Sequence, residues 1–142
     1  MWESIRLKEC EHAFGSVVLN LSKVLSTNPH NEVALKSLKE LGFTKKAILG
    51  YLAGMSKILK LKLKEYLLIQ DSYKKQEEIC KVFLNFIMET RKNFEKNFNV
   101  EKKDRPLLAY FTKWILEELR NFVLTLTELL FKTRSLSELS ND

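Results

Sequence analysis

Apolar residues recur at three- and four-residue spacing through the C-terminal stretch from Asp104 to Arg134. After Pro106, which a first helical turn tolerates, neither glycine nor proline interrupts this stretch. The spacing predicts one long helix, and further apolar residues broaden its face so much that several neighbours should cover it. The main stripe comprises Leu108, Phe111, Ile115, Phe122, Leu126 and Leu129, and the broadening residues are Leu107, Trp114, Leu116, Val123 and Leu130.

The same spacing predicts four helices before this one, and glycine and proline are too scarce for the many turns of a β fold. Pro29 ends the first helix because proline cannot continue the hydrogen-bond ladder. Gly42 lies where the end of the short second helix needs a left-handed residue. We therefore predict an all-α protein, an antiparallel helical bundle of four main helices and one short helix. The predicted helices cover about residues 3–25, 32–41, 44–70, 72–97 and 104–134, and one domain spans 1–142 with 135–142 as a frayed tail.

The connection between the third and fourth helices has two interpretations. Tyr73 lies in a seven-residue apolar repeat that continues from Leu52 to Phe94 without interruption. A single helix as far as about residue 98 satisfies that repeat and would require a coiled-coil partner. The usual length of helices in globular proteins favours a break near Asp71. The sequence leaves both arrangements open.

Positive charge is concentrated in the middle of the chain, whose formal net charge is +6. Residues 44–73 contain six basic and two acidic residues, and residues 74–103 contain eight basic and five acidic residues. This asymmetry predicts an anionic partner, with nucleic acid the first choice, bound by helices 44–70 and 72–98. A solvated face is the alternative. The candidate nucleic-acid-binding residues are Lys46, Lys57, Lys60, Lys64, Arg91, Lys92 and Lys96.

The third helix also has features of a contact surface. Gly50 and Gly54 lie inside the helix, where each costs roughly 1 kcal/mol relative to alanine. They indicate the close approach of a neighbouring helix or of another molecule. A second apolar stripe, Ile58, Leu61 and Leu68, lies beside the lysines. These five residues are the candidate interface, and they support an alternative function as a protein–protein adaptor or a chaperone-like bundle that self-associates into an oligomer.

The chain has few residues suited to catalysis. Glu9 and His12 match one carboxylate–histidine pair of a di-iron bundle, but the second pair is missing. Cys10 and Cys80 form no metal-binding spacing, and we expect both to be reduced and buried. The sequence has no signal-peptide core and no apolar run long enough for a membrane. We therefore expect a cytoplasmic protein without membrane insertion, cofactor, metal or enzymatic activity.

Two short segments resemble known families. Residues 38–48, LKELGFTKKAI, resemble the helix corner of DNA-binding helix–turn–helix regulators, although any helical bundle can use such a corner. Arg120 and Asn121 resemble the Arg-Asn-x-x-x-His signature of HEPN-type ribonuclease bundles. In that family the arginine and the histidine act on the scissile phosphate, and here Thr125 occupies the histidine position. The resemblance implies a third possible function, a degenerate HEPN-type bundle without catalysis.

Overall fold

The computed structural model describes residues 2–69, 74–98 and 105–140, and within these ranges it is helical without any strand. The described elements are α1 (Trp2–Thr27), α2 (Glu32–Glu40), α3 (Thr44–Ile69), α4 (Lys74–Asn97) and α5 (Arg105–Ser140). The predicted all-α class is confirmed, whereas the antiparallel bundle arrangement stays a prediction. The chain divides into two compact units, Met1–Lys62 and Leu63–Asp142. The assignment of one domain also stays a prediction.

Asparagine side chains build the connection from α1 to α2. The Asn28 side-chain oxygen accepts a hydrogen bond from the His30 backbone N–H at 3.2 Å. The Asn31 side-chain oxygen accepts from the Ala34 N–H at 3.2 Å and caps α2. Pro29 is fully buried between these two asparagines.

Gly42 ends α2 with the left-handed backbone that the sequence predicts, at φ 86°. Its N–H donates to the Lys39 carbonyl at 3.0 Å, and the Phe43 N–H donates to the Leu38 carbonyl at 2.8 Å. These two bonds form a Schellman motif, which satisfies carbonyls that the helix end would otherwise leave open. The Phe43 ring then packs against Phe14, with ring centroids 5.7 Å apart.

The first unit packs its core along α3. Ile48, Tyr51, Leu52, Met55 and Leu59 are all buried there. The glycines of α3 are also buried, and they face the end of α1 and the turn that follows it. A Cβ atom added at Gly50 would lie 3.3 Å from the Ser22 carbonyl oxygen. The close approach that the glycines indicate therefore occurs within the chain.

The apolar spacing of the first helix predicts a buried stripe, and the structure buries only part of it. The stripe comprises Ile5, Cys10, Phe14, Val17, Leu21, Val24 and Leu25. Cys10, Phe14, Val17 and Val24 are exposed, so the expectation of a buried Cys10 is wrong. The residues that α1 directs into the core are Val18 and Leu25. Leu25 belongs to the predicted stripe, whereas Val18 lies beside the stripe on the helix. The short distance to the glycines of α3 draws the Ser22–Leu25 side of α1 inward.

A hydrogen bond in the second unit decides between one long helix and two. The Tyr66 hydroxyl donates to a Glu78 carboxylate oxygen at 3.0 Å. In one continuous helix these two residues would lie about 18 Å apart along the axis. Tyr66 and Glu78 therefore belong to two separate helices, while the predicted break near Asp71 itself falls at 70–73, outside the described residues.

Aromatic rings form the contact between α4 and α5. Phe83 stacks on Phe122 with centroids 4.1 Å apart, and Phe94 stacks on Phe111 at 5.1 Å. Trp114 is buried next to Phe111. These rings confirm the central part of the predicted α5 stripe, and they attach it to α4 through Phe83 and Phe94.

Two predictions for α5 are corrected. Leu116 and Val123 are exposed, although the sequence placed them on the covered face. They lie on the side of the helix away from Trp114 and Glu118, which are buried. The helix also continues through 135–140, where we predicted a frayed tail, because no glycine or proline stops it there. The side chains of Leu129 and Leu130 are outside the described set.

Candidate functional site

The basic residues of α3 lie at the surface. Lys46, Lys57, Lys60 and Lys64 are all exposed, as expected from their position opposite the core residues. The Lys46 ammonium lies 5.4 Å from the centroid of the Phe43 ring, a cation–π contact at the start of the helix. The remaining lysines form a polar row along α3, suited either to solvent or to the rim of a contact surface.

The candidate basic residues of α4 are exposed too, and one of them has a local partner. The Arg91 guanidinium pairs with Glu95 one turn later, with Nε and Oε1 3.2 Å apart. Exposed pairs of this kind contribute about 0.3–0.5 kcal/mol and offset part of the local positive charge. Lys92 and Lys96 are exposed on the same helix.

The candidate interface residues of α3 separate into two groups. Gly50 and Gly54 are buried against the chain's own α1 and turn, as described above. Ile58 is half-buried, and Leu61 is 63% exposed. The side chain of Leu68 is outside the part that the structure describes. Leu61 is therefore the most accessible apolar residue among the described members of this set.

The structure also contains an exposed apolar row on α5 that the sequence analysis missed. Leu116, Leu119 and Val123 are exposed, and Leu126 is half-buried. Their three- and four-residue spacing was visible in the sequence, but we assigned Leu116, Val123 and Leu126 to the covered face. A separate groove of about 390 Å³ lies in the first unit, lined by Leu19, Ser22, Lys23, Ser26, Lys46, Leu49 and Gly50.

Two tyrosines of the described chain have raised pKa values. Burial raises the pKa of Tyr51 to about 12. The hydrogen bond to Glu78, together with partial burial, raises the pKa of Tyr66. Both hydroxyls therefore keep their protons at neutral pH. Thr125, at the histidine position of the HEPN signature, donates its hydroxyl to the Asn121 carbonyl at 2.9 Å. Within the described residues no group of three or more histidine, cysteine or carboxylate side chains could hold a metal ion.

Comparison with known families decides among the possible functions. A family model described as exocyst component 84 C-terminal matches residues 4–141. The chain belongs to this family. No curated protein and no solved structure matches it. Exocyst component 84 is a non-catalytic subunit of a tethering complex held together by protein–protein contacts.

Membership in the exocyst component 84 C-terminal family corrects the main functional prediction. The family is a tethering-complex component and not a nucleic-acid binder, so the assignment of nucleic acid as the partner of α3 and α4 is wrong. The family does not support a homo-oligomer either. The alternative of a protein–protein adaptor fits the family better, whereas nothing in it supports self-association or a degenerate ribonuclease.

The location of exocyst components agrees in part with the predicted cytoplasmic location. Exocyst components are cytoplasmic and associate with vesicles and the plasma membrane. Among the described helices of this chain, none combines the length and the apolar character that a membrane crossing needs.

Proposed function

We propose that this chain is a non-catalytic, protein-binding part of an exocyst-type tethering complex. Its work is to hold other protein subunits together in the cytoplasm, at vesicles and the plasma membrane. The observation that carries the proposal is the family match, which extends over residues 4–141 and so includes all five helices rather than one motif. The exposed apolar residues of α3 and α5 support it, because protein interfaces are built around such residues.

On this proposal, the exposed side of α3 is one of the surfaces that binds a partner subunit. Leu61 would insert into the partner, next to the half-buried Ile58. Lys57, Lys60 and Lys64 would form the charged rim around this apolar centre. Their positive charge would then favour an acidic protein surface over a neutral or basic one.

The test is purification of the tagged full chain from cells of its source, with mass-spectrometric identification of bound proteins. We expect exocyst subunits to copurify with the wild-type chain. Leu61→Lys should reduce their recovery, because a charge would enter the apolar centre of the contact. Met88→Lys is the matched control, since Met88 is a similarly exposed apolar residue on α4. Failure of the wild-type chain to recover any exocyst subunit would overturn the proposal.

A further inference from the structure

One apolar row on α5 remains uncovered although it runs beside the buried face of the same helix. We call Leu116, Leu119, Val123 and Leu126 the α5 seam. The first three side chains are 60%, 45% and 52% exposed. The helix thus buries Phe111, Trp114 and Phe122 and presents a second apolar surface to the outside.

The spacing of the α5 seam indicates what kind of element covers it. Its members alternate at intervals of three, four and three residues, the a and d positions of a heptad. The exposed Ala109 and Thr112 continue this register toward the start of α5. The row from Ala109 to Leu126 is about 26 Å long, enough for several turns of a second helix. An α-helix with its own heptad stripe is the occupant that this geometry fits.

The charges beside the seam indicate the character of that helix. Lys113 and Arg120 occupy successive e positions along one flank, and both are exposed. Charged e and g residues decide which helices pair in coiled coils. A helix with acidic residues on the matching flank would therefore be favoured, and one with basic residues there would be rejected.

A second copy of the chain would not supply those acidic residues. The e positions of the seam carry Lys113, Arg120 and Thr127, and the g positions carry Ile115 and Phe122. None of these five is acidic, so two copies packed along their seams would leave the basic flank without complementary charge. A different protein fits the seam better than this chain itself.

We propose that the α5 seam binds an amphipathic helix of another protein, with acidic residues beside the apolar stripe of that helix. This proposal rests on the proposed function, since the protein that supplies the helix would be another subunit of the tethering complex. It adds a binding site on α5 to the contact proposed for α3, and it specifies the helical form and the charge of the partner.

Two designed peptides test the site directly. Each has three heptads with leucine at a and d, and the e and g positions carry glutamate in one and lysine in the other. We expect the full chain to bind the glutamate peptide on the order of tenfold more tightly than the lysine peptide in fluorescence anisotropy titrations. The double variant Lys113→Glu, Arg120→Glu should reverse this preference. Equal affinity for the two peptides, or an unchanged preference in the double variant, would overturn the proposal.

Variants of the seam distinguish peptide binding at this site from non-specific hydrophobic binding elsewhere on the protein. Leu116→Glu and Val123→Glu should each weaken binding of the glutamate peptide by about tenfold or more, because a carboxylate would enter the apolar contact. Leu84→Glu is the matched control, since Leu84 on α4 is 59% exposed but lies outside the seam. Circular dichroism should show the same helicity in all three variants. An equal loss of affinity in the control, or no loss in the seam variants, would overturn the proposal. A concentration-dependent dimer of the wild type that Leu116→Glu abolishes would overturn it too.

The copurification experiment distinguishes failure of this proposal from failure of the proposed function. Carbodiimide, which joins amines to carboxylates, should link Lys113 to an acidic residue in a helix of a copurified exocyst subunit. If exocyst subunits copurify equally with wild type and Leu116→Glu, and Lys113 forms no such link, the seam proposal fails and the proposed function stands. If the peptides bind as expected but no exocyst subunit copurifies, the proposed function fails alone and the partner helix belongs to another protein.

Discussion

Gly54 lies so close to Pro29 that an added methyl group would come within 2.9 Å of both the Cβ and the Cδ atoms of the proline ring. The same methyl group would lie 2.9 Å from the Leu25 carbonyl oxygen. Ring and backbone atoms cannot rotate out of the way as a flexible side chain can. The absence of a side chain at Gly54 is therefore what allows α3 to pack against the end of α1 and the turn after it.

Replacement of Gly54 tests this contact. Gly54→Ala should lower the free energy of unfolding by about 1–3 kcal/mol, since α3 must move away from Pro29 or strain the turn. Gly15→Ala is the matched control on α1, because nothing lies within 4 Å of a Cβ atom there. That change should stabilise the protein by roughly 0.5–1 kcal/mol. Urea denaturation measures both, and a stabilising Gly54→Ala would show that the close approach is not required.

Burial on α5 gives a second prediction. Phe111→Ala should cost about 3–5 kcal/mol, because it removes a buried ring that contacts Phe94 and Trp114 and leaves a cavity. Leu116→Ala, on the exposed seam of the same helix, should change stability by less than about 0.5 kcal/mol. Thermal and chemical denaturation compare the two. Similar losses in both variants would mean that the outer face of α5 is covered after all.

Stability should fall at high pH because of Tyr51. Burial raises the pKa of this hydroxyl from 10.0 to about 12 in the folded protein. Between these values the unfolded chain loses the proton while the folded chain keeps it, so the free energy of unfolding decreases as pH rises. The loss should reach roughly 2–3 kcal/mol by pH 12.

Tyr51→Phe provides the control for the pH effect. This variant should show a flatter stability curve above pH 10, with a remaining decrease in the same direction from Tyr66, whose pKa is also raised. Denaturant titrations across this range, repeated for both proteins, measure the difference. Parallel curves for wild type and Tyr51→Phe would contradict the assignment.

The lysines of α3 give a prediction about partner choice. The triple variant Lys57→Gln, Lys60→Gln, Lys64→Gln should keep its stability within about 0.5 kcal/mol per site, because all three side chains are exposed. Neither this variant nor the wild type should bind labelled DNA or RNA at physiological salt. Wild-type binding that weakens steeply with added salt, and that the variant lacks, would restore phosphate as a ligand.

Most of the helical architecture could be predicted from the sequence, because its signals are local. The apolar spacing indicated all five helices, and Pro29 and Gly42 marked two of the ends. Local signals did not decide whether α3 and α4 are two helices or one. The heptad repeat suited one helix or two equally well, and the deciding fact is the hydrogen bond between Tyr66 and Glu78.

The exposed side of α5 and the chemical class of the partner were harder to predict. Spacing shows that Leu116 and Val123 share a side of α5, but it does not show whether a neighbour reaches that side. Lysine charge likewise raises the affinity for any anionic surface and does not distinguish a phosphate backbone from an acidic protein. The exposure of Leu116 and Val123 became visible only in the structure, and the family match over residues 4–141 is what removed nucleic acid as the partner.

Thr112 is a polar residue at a d position in the register of the α5 seam, and its hydroxyl is already hydrogen-bonded within α5. Its Oγ1 donates to the Leu108 carbonyl 2.9 Å away, and Thr127 makes the same bond to Val123 at 2.8 Å. A backbone carbonyl of α5 therefore already accepts the hydrogen bond that each threonine hydroxyl would otherwise donate to water. A helix that covers Thr112 therefore does not leave the hydroxyl proton without an acceptor, and burial of this side chain costs less than burial of an unpaired hydroxyl.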